Sequence, residues 1–226
     1  MKALVTGASG AIGATLVEQL LARDYCVRAF VRPSAKRDHF GSAVEIMQGD
    51  ISDAQSLSRA VVGVDVIFHL AAKLHVNEPS PSLQDEYTSV NVQGTRLLAE
   101  AARAAGVRRL VFFSSVNVYG PTEKGQIFDE HSATRPQTIY AKTKLEAEKI
   151  ALGTMPSAVL RLAAVYGPGM KGNYPLLVEA LRKGRFVKLG DGQNRRSLVH
   201  VEDVCSAAML VAETEKSLGE TYNVTD

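Results

Sequence analysis

An α/β fold built on a doubly wound parallel sheet is predicted by three observations. Short, continuously apolar runs recur along the chain, and runs of that kind suit strands buried on both faces. Between them lie longer segments with apolar residues at helical spacing, and regular alternation of the two patterns marks crossover connections between parallel strands. The first apolar run leads directly into TGASGAIG, Thr6 to Gly13, a glycine turn placed between a strand and a helix.

The elements follow in order. KALVT, 2–6, is the first strand and AIGATLVEQLLAR, 11–23, the first helix. CVRAFV, 26–31, and AVEIMQ, 43–48, read as the next two strands, followed by the helix DAQSLSRAVV, 53–62. DVIFHLA, 65–71, is a fourth strand, and LQDEYTSVNVQGTRLLAEAARAAG, 83–106, reads as one long helix. RLVFFSS, 109–115, the helix IYAKTKLEAEKIAL, 139–152, and SAVLRLA, 157–163, continue the alternation. After about residue 165 the pattern loosens into a loop at 166–174, a helix at 175–184, a second loop at 190–197, the strand LVHV, a helix around 202–214 and a terminal strand TYNVT. The predicted organisation is therefore a sheet domain over 1–165 and a small, shortened C-terminal lobe over 166–226, too short for a separate domain of usual size.

Composition narrows the function. The chain has 226 residues, 46% of them hydrophobic, with 26 basic against 24 acidic residues and a net charge of +2. No long-range field favours nucleic acid or an anionic membrane, so neither is expected as a partner. The apolar start is too short for a signal peptide or a membrane span, and a cytoplasmic location is the expectation. Cys26 and Cys205 belong to no CxxC pair or Cys/His cluster, so no disulfide framework or metal site is expected, and both read as buried thiols.

Each glycine of the turn has a physical task. Gly7 permits the tight turn, Gly10 lets backbone approach a pyrophosphate, and Gly13 lets helix and strand pack closely. The helix N-terminus offers unpaired N–H groups to phosphate. In this strand-to-helix context the turn is a dinucleotide site of the Rossmann type, with Gly7, Ser9, Gly10, Ala11, Ile12 and Gly13 as its contacts. The end of the second strand reads VRPSAKR, with Arg32, Lys36 and Arg37 and no acid before Asp38. Guanidinium there suits a 2′-phosphate, so NADP(H) is favoured over NAD(H). Asp50, just past the third strand, either caps the next helix or accepts from the adenine amino group.

Tyr140 and Lys144 are four residues apart and so share a helix face. Ser114 and Ser115 end the fifth strand at the carboxyl edge of the sheet, where ligands of this architecture bind. A phenol titrates near 10, and a neighbouring ammonium together with an oxidised nicotinamide would lower it enough for acid/base work. The other charges of this helix, Lys142, Glu146, Glu148 and Lys149, read as a solvated face.

These motifs occur in the order TGASGAIG, GDI (49–51), HLAA (69–72), NVQGT (91–95), SSVNVYG (114–120), YAKTK (140–144) and RLAAVYGPG (161–169). In that order the chain resembles the extended short-chain dehydrogenase/reductases, the group of nucleotide-sugar epimerases, dehydratases and 4-keto reductases. The resemblance implies that Tyr140 is the acid/base, that Lys144 binds the nicotinamide ribose and lowers the tyrosine pKa, and that Ser115 holds the reacting oxygen. It places Asp50, Ile51, Leu70, Ala71 and Ala72 on the cofactor, with His69 a cofactor-loop element rather than a base. Asn91, at the cofactor side, braces the site through backbone contacts. Ser114, Asn117 and Arg196 are the implied substrate contacts, Arg196 gripping a nucleotide diphosphate within a loop that contains Gly190 and Arg195.

The resemblance also sorts the reactions. The dehydratases carry an Asp-Glu pair where this chain has Val116 and Asn117, which argues against 4,6-dehydration. Many 4-epimerases have an asparagine where this chain has Ala164. The basic cofactor loop favours external NADPH, so the expected activity is 4-keto reduction of a nucleotide sugar, with 4-epimerisation on bound NAD as the alternative. A 3β-hydroxysteroid-type dehydrogenase and a catalytically silent NADP-sensing protein are further alternatives. Helices 83–106 and 137–152 are the expected homodimer face, in competition with an intrachain core. Members of the group usually continue beyond the strand that ends YNVTD, so the chain is expected to be a truncated or unusually short member.

Overall fold

The computed structural model describes residues 1–35, 40–74, 81–122, 125–170, 173–186, 191–192 and 195–226. Its elements are β1 (Lys2–Thr6), α1 (Ala11–Leu21), β2 (Cys26–Val31), β3 (Val44–Gln48), α2 (Ala54–Ala60), β4 (Val66–His69), α3 (Pro81–Tyr87), α4 (Gly94–Ala104), β5 (Arg109–Ser115), α5 (Ile139–Thr154), β6 (Ser157–Leu162), β7 (Ala164–Tyr166), α6 (Asn173–Arg182), β8 (Leu198–His200), α7 (Val201–Glu213) and β9 (Thr221–Val224). The main sheet has seven strands in the order β3-β2-β1-β4-β5-β6-β9, every pair parallel. Strand order reverses between β1 and β4, and the crevice at that switch point is where an open α/β sheet binds its ligand.

Two apolar layers sandwich the sheet. Ala3, Val5, Phe68, Val111 and Phe113 point to one side, where Leu16, Val17 and Leu20 of α1 and Val204, Ala208 and Met209 of α7 cover them. Leu4, Ile67, Leu110 and Phe112 point to the other, against Leu57 of α2, Leu98, Ala99 and Ala102 of α4, and Ala147 and Ala151 of α5. All seven residues of β5 are buried, as the continuous run RLVFFSS requires of a central strand. Two buried arginines on the sheet close helix C-termini, where exposed carbonyls and the negative dipole end attract a cation. Arg28 donates to the carbonyls of Ala60 and Val62, and Arg109 to those of Val211, Ala212 and Thr214.

The chain departs from its sequence pattern in three places. The single helix expected over 83–106 is α3 and α4 joined by a π-helical turn, Thr88–Gln93, which puts Asn91 in a widened turn facing inward. The small residues of α4 pack within the chain, against α5. Cys26 is exposed rather than buried, because it starts its strand at the rim; Cys205 is buried as expected, and both thiols are free. After residue 163 the chain makes a two-stranded parallel sheet, β7 with β8, before α7 returns to the main sheet and β9 pairs with β6. The loop residues Lys36, Arg37, Asp38 and Gly190 lie outside the described residues.

One of the two tightest glycine approaches is at the first turn, the other being Gly120 against Arg135. A Cβ on Gly13 would lie 2.3 Å from the carbonyl oxygen of Gly7 and 2.8 Å from Cα of Ala8. Both are backbone atoms that cannot swing aside, so Gly13→Ala is expected to lower the unfolding free energy by about 1–3 kcal/mol, measured by urea denaturation. Gly63→Ala, whose added methyl meets open space, is the comparison that isolates crowding from backbone strain, since φ at Gly63 is +68°.

Candidate active site

The glycine turn forms the floor of the crevice. Gly7 has φ +72°, in the left-handed region, and a Cβ there would lie 2.8 Å from the amide nitrogen of Ala71. The turn after β1 and the loop after β4 therefore touch backbone to backbone. Gly10 donates its N–H to the carbonyl of Gly7 at 3.0 Å and stands extended at the N-terminus of α1, where no side chain caps the helix. Ser9 and Gly10 are exposed, and Ala11 and Ile12 are half-buried. An uncapped helix start beside a backbone cradle too tight for a side chain fits the pyrophosphate of a dinucleotide.

Two further segments border this floor. Arg32 is exposed at the end of β2. Asp53, not Asp50, caps α2, accepting from the N–H groups of Gln55 and Ser56. Asp50 instead accepts from the N–H and hydroxyl of Ser52, at 2.9 and 2.6 Å. Those bonds, helped by the charge of Arg32, hold its carboxyl below the usual carboxylate range. Ile51 is buried and packs where a Cβ on Gly94 would sit.

After β4, Leu70, Ala71 and Ala72 line the loop as half-buried residues. A directed chain of hydrogen bonds ties this loop to α5. The N–H of Ala71 donates to Thr6 Oγ1, which meets His69 Nδ1 at 2.7 Å; His69 Nε2 meets Thr95 Oγ1 at 2.9 Å, and Thr95 donates to the carbonyl of Asn91. Because the Thr95 hydroxyl proton is used on Asn91, Thr95 must accept from Nε2–H, which leaves Nδ1 to accept from Thr6. The donors thus assign a neutral His69 protonated on Nε2. Burial and the nearby Lys144 push its pKa down to about 3. The Asn91 side chain accepts from the N–H of Lys73 at 2.7 Å and donates to Thr143 Oγ1 at 3.1 Å, and Thr143 donates to the carbonyl of Tyr140.

Thr138 starts α5, its hydroxyl accepting from the N–H of Ala141. Tyr140 follows in the first turn and is half-buried. Lys144 lies one turn deeper and is 2% exposed, with Nζ 4.0 Å from the centre of the Phe112 ring. That is a cation–π contact in a desolvated setting. Burial pulls the Lys144 pKa down to about 7, against the opposing charge of Glu148. Without a dinucleotide, burial first, and then Tyr87, push the Tyr140 phenol up to about 12; the expected lowering belongs to the site with oxidised nicotinamide bound. In the free protein desolvation dominates.

Ser115 ends β5, its hydroxyl accepting from the N–H of Asn117 at 3.2 Å; Asn117 is exposed. Ser114 points elsewhere, buried and donating to the Glu148 carboxylate. Arg196 is exposed just before β8, two residues ahead of the strand that pairs with β7. Sequence reasoning missed Glu148 and Arg161. Glu148, read as solvated, is buried and ion-paired with Arg161 at 2.8 Å. The available signal was spacing: Tyr140, Lys144 and Glu148 repeat at i, i+4 and i+8, and so share one helix face. Among the described residues no cluster of side chains could hold a metal ion, and no helix is long and apolar enough to cross a membrane.

Comparison with known proteins agrees with this architecture. A family model described as the NAD dependent epimerase/dehydratase family matches residues 3–225. A UDP-glucose 4-epimerase of Vibrio cholerae is 33% identical over 232 residues, covering 99% of this chain and 70% of that protein. A 3 beta-hydroxysteroid dehydrogenase/Delta 5-->4-isomerase of Mycobacterium tuberculosis (strain CDC 1551 / Oshkosh) is 34% identical over 245 residues, covering all of this chain and 65% of that protein. The dTDP-glucose 4,6-dehydratase DesIV of Streptomyces venezuelae, solved with NAD bound, superposes with a TM-score of 0.85 at 33% identity, covering 99% of this chain and 75% of that one.

The depressed Lys144 pKa has a consequence for stability. Unfolded, the lysine keeps its proton to about 10.5; folded, it releases it near 7. Between those values the unfolded chain binds more protons, so this residue's contribution to stability rises with pH across that window. Below pH 7 the full desolvation penalty applies. Lys144→Met is therefore expected to raise the unfolding free energy at pH 6 by about 2–4 kcal/mol. The gain should shrink as pH rises toward 10, measured by denaturant titration at a series of pH values.

Proposed function

The chain belongs to the NAD dependent epimerase/dehydratase family, and from that premise we propose that it is an NAD(P)-dependent oxidoreductase acting at C4 of a nucleotide-linked sugar. The observation that supports this most is a half-buried Tyr140 and a buried Lys144 on one face of a helix that Thr143 and Asn91 hydrogen-bond to the loop packed on the glycine turn. The dinucleotide, when bound, supplies or takes up hydride. Gly7, Gly10 and Gly13 let its pyrophosphate approach the backbone, and Asn91 fixes the loop after β4 against α5. Tyr140 exchanges a proton with the oxygen on C4, Ser115 positions that oxygen, and Lys144 tunes the phenol. Asn117 and Arg196 contact the substrate, Arg196 at its diphosphate. Ser114, engaged with Glu148, supports the site from below.

Reduction is the favoured direction. What favours it is the basic residue Arg32, exposed at the end of β2, which suits external NADPH and hence net reduction. Val116 and Asn117 stand where dehydration would call for carboxylates. Epimerisation shares the first half-reaction and is the equal competitor, with the Vibrio cholerae relative in its favour. NADP(H) rather than NAD(H) rests on Arg32; the NAD held by the Streptomyces venezuelae relative makes NAD(H) the competing cofactor. A homodimer through the outer faces of α4 and α5 belongs to the same proposal. One observation favours a different substrate class: Leu176, Val178 and Leu181 of α6 are exposed beside the groove that Tyr166, Met170 and Leu198 line. Such a lobe suits an apolar alcohol, as the mycobacterial relative's name describes.

Three incubations separate these readings, each followed by nicotinamide absorbance and product stereochemistry. Oxidation of NADPH by a UDP-4-keto-6-deoxy-N-acetylhexosamine is the outcome expected of a reductase. Inversion at C4 of a UDP-hexose without net cofactor change would overturn that in favour of epimerase, and reduction of cofactor only with a 3β-hydroxysteroid would move the substrate class. Tyr140→Phe is expected to lower turnover by about 10²–10⁴-fold with cofactor binding unchanged. Retained turnover would mean that another group donates the proton. Arg32→Ala should weaken NADPH binding by about tenfold, the loss of one charge-assisted hydrogen bond, and leave NADH binding unchanged. Equal effects on both cofactors would remove the 2′-phosphate from its role.

A further inference from the structure

Among the described residues Glu148 is the one buried carboxylate and Lys144 the one buried ammonium, and they lie one turn apart on the same helix. The other buried charges, Arg28, Arg109 and Arg161, are guanidinium groups on the sheet. Arg28 and Arg109 pair with carboxylates that reach solvent, Glu45 and Glu215. Arg161 pairs with Glu148, and both partners are buried.

The Glu148 carboxylate is held on every side. Arg161 donates from Nη2 to Oε2 at 2.8 Å and from Nε to Oε1 at 3.1 Å, a two-point grip that fixes the plane of the carboxylate. Ser114, beside Arg161 in the β5–β6 register, donates to Oε1. Arg161 is itself locked: Nη1 donates to Tyr119 OH at 2.9 Å, Tyr119 donates to Asn223 Oδ1 at 2.8 Å, and the Arg161 guanidinium lies 4.9 Å from the Tyr119 ring centre. The network thus joins β5, β6, β9, the 3-10 turn at Val116–Tyr119 and α5, directly behind the proposed catalytic pair. Without Glu148, two cations would share this interior with no buried anion.

From this arrangement we infer that Glu148 is a positioning residue: it is the fixed counter-charge that keeps Lys144 an ammonium in the core, with Arg161 and Ser114 holding the carboxylate at its distance. Glu148 touches no reacting atom in this scheme; it acts through Lys144 on Tyr140. Its bearing on proton transfer rests on the activity proposed above, whereas its effect on Lys144 does not. The direction is already visible in the site, where Glu148's charge opposes the lowering of the Lys144 pKa by burial. The other titratable or charged groups on the elements packed against this face are few. They are the neutral His69 of β4, Tyr87 of α3, Arg109 at the start of β5, Tyr119 of the 3-10 turn, Tyr140 of α5 itself and Arg161 of β6, while Asp85 and Glu86 of α3 and Glu100 and Arg103 of α4 are exposed and Arg96 is half-exposed. Only Glu148 is a buried anion.

The test is a direct titration of Lys144 in the full chain with neither substrate nor cofactor, by NMR of ε-13C-labelled lysine, the resonance assigned by its loss in Lys144→Met. Glu148→Gln, which keeps the shape and an acceptor for Arg161, should lower the Lys144 midpoint by about one pH unit or more. Arg161→Gln removes a like charge and releases Glu148 from its partner, so it should move the midpoint the opposite way, upward. An unmoved midpoint in Glu148→Gln, or a fall in Arg161→Gln, overturns the inference; if Glu148→Gln does not fold, the Arg161→Gln direction decides alone. With turnover established, Glu148→Gln should also move the alkaline limb of the pH–rate profile to lower pH. A uniform fall across all pH values would mark a merely structural role. Failure of the titration and failure of the sugar assays are separate results.

Discussion

Lys144 carries an ammonium into the interior of the sheet, and the carboxyl edge of the molecule is arranged around what that charge requires. An unpaired cation in such a setting is unfavourable by several kcal/mol. The face of Phe112 lies 4.0 Å away, Glu148 sits one turn along the helix, and His69 nearby is kept neutral by its burial and by the lysine's own charge. These groups come from β4, β5 and α5, with Arg161 of β6 behind them. Only the strand order β1-β4-β5-β6 brings them together. The fold's topology and the lysine's charge state are therefore one problem.

The proposed cofactor end and the proposed proton end of the crevice are also one hydrogen-bonded piece. Gly7 presses on Ala71, Ala71 donates to Thr6, and the path continues through His69, Thr95 and Asn91 to Thr143 and the carbonyl of Tyr140. Each hydroxyl in it both donates and accepts, so the direction of every bond is set by its neighbours. Protonating His69 would add a donor on Nδ1 where Thr6 already donates, which is why a neutral ring belongs there. The glycine turn is thereby joined by a short hydrogen-bonded path to the backbone of Tyr140.

Much of this was legible in the sequence, and the rest was not for identifiable reasons. Apolar runs placed β1, β2 and β5 to the residue, because a strand buried on both faces stays mostly apolar even where an arginine such as Arg28 interrupts it. Glycines spaced three apart located the turn because only their backbone can pack so closely. The π-helical turn at Thr88–Gln93 was hidden, since its sequence is as helical in pattern as its flanks, and only tertiary contact by Asn91 reveals it. Glu148 was hidden for a different reason. A glutamate in a run of lysines and glutamates reads as solvent-facing unless its partner is known, and Arg161 lies on another element thirteen residues away.

The claim at the centre of this account is that hydride leaves or joins carbon at this crevice while Tyr140 handles the proton. A UDP-sugar carrying deuterium on C4, turned over with the oxidised dinucleotide, tests it most directly. The account predicts that mass spectrometry will find the deuterium on the nicotinamide ring, or returned to C4 of the inverted sugar, with none lost to water. Washout of the deuterium into solvent would contradict it, because it would mean that C4 loses a proton and not a hydride.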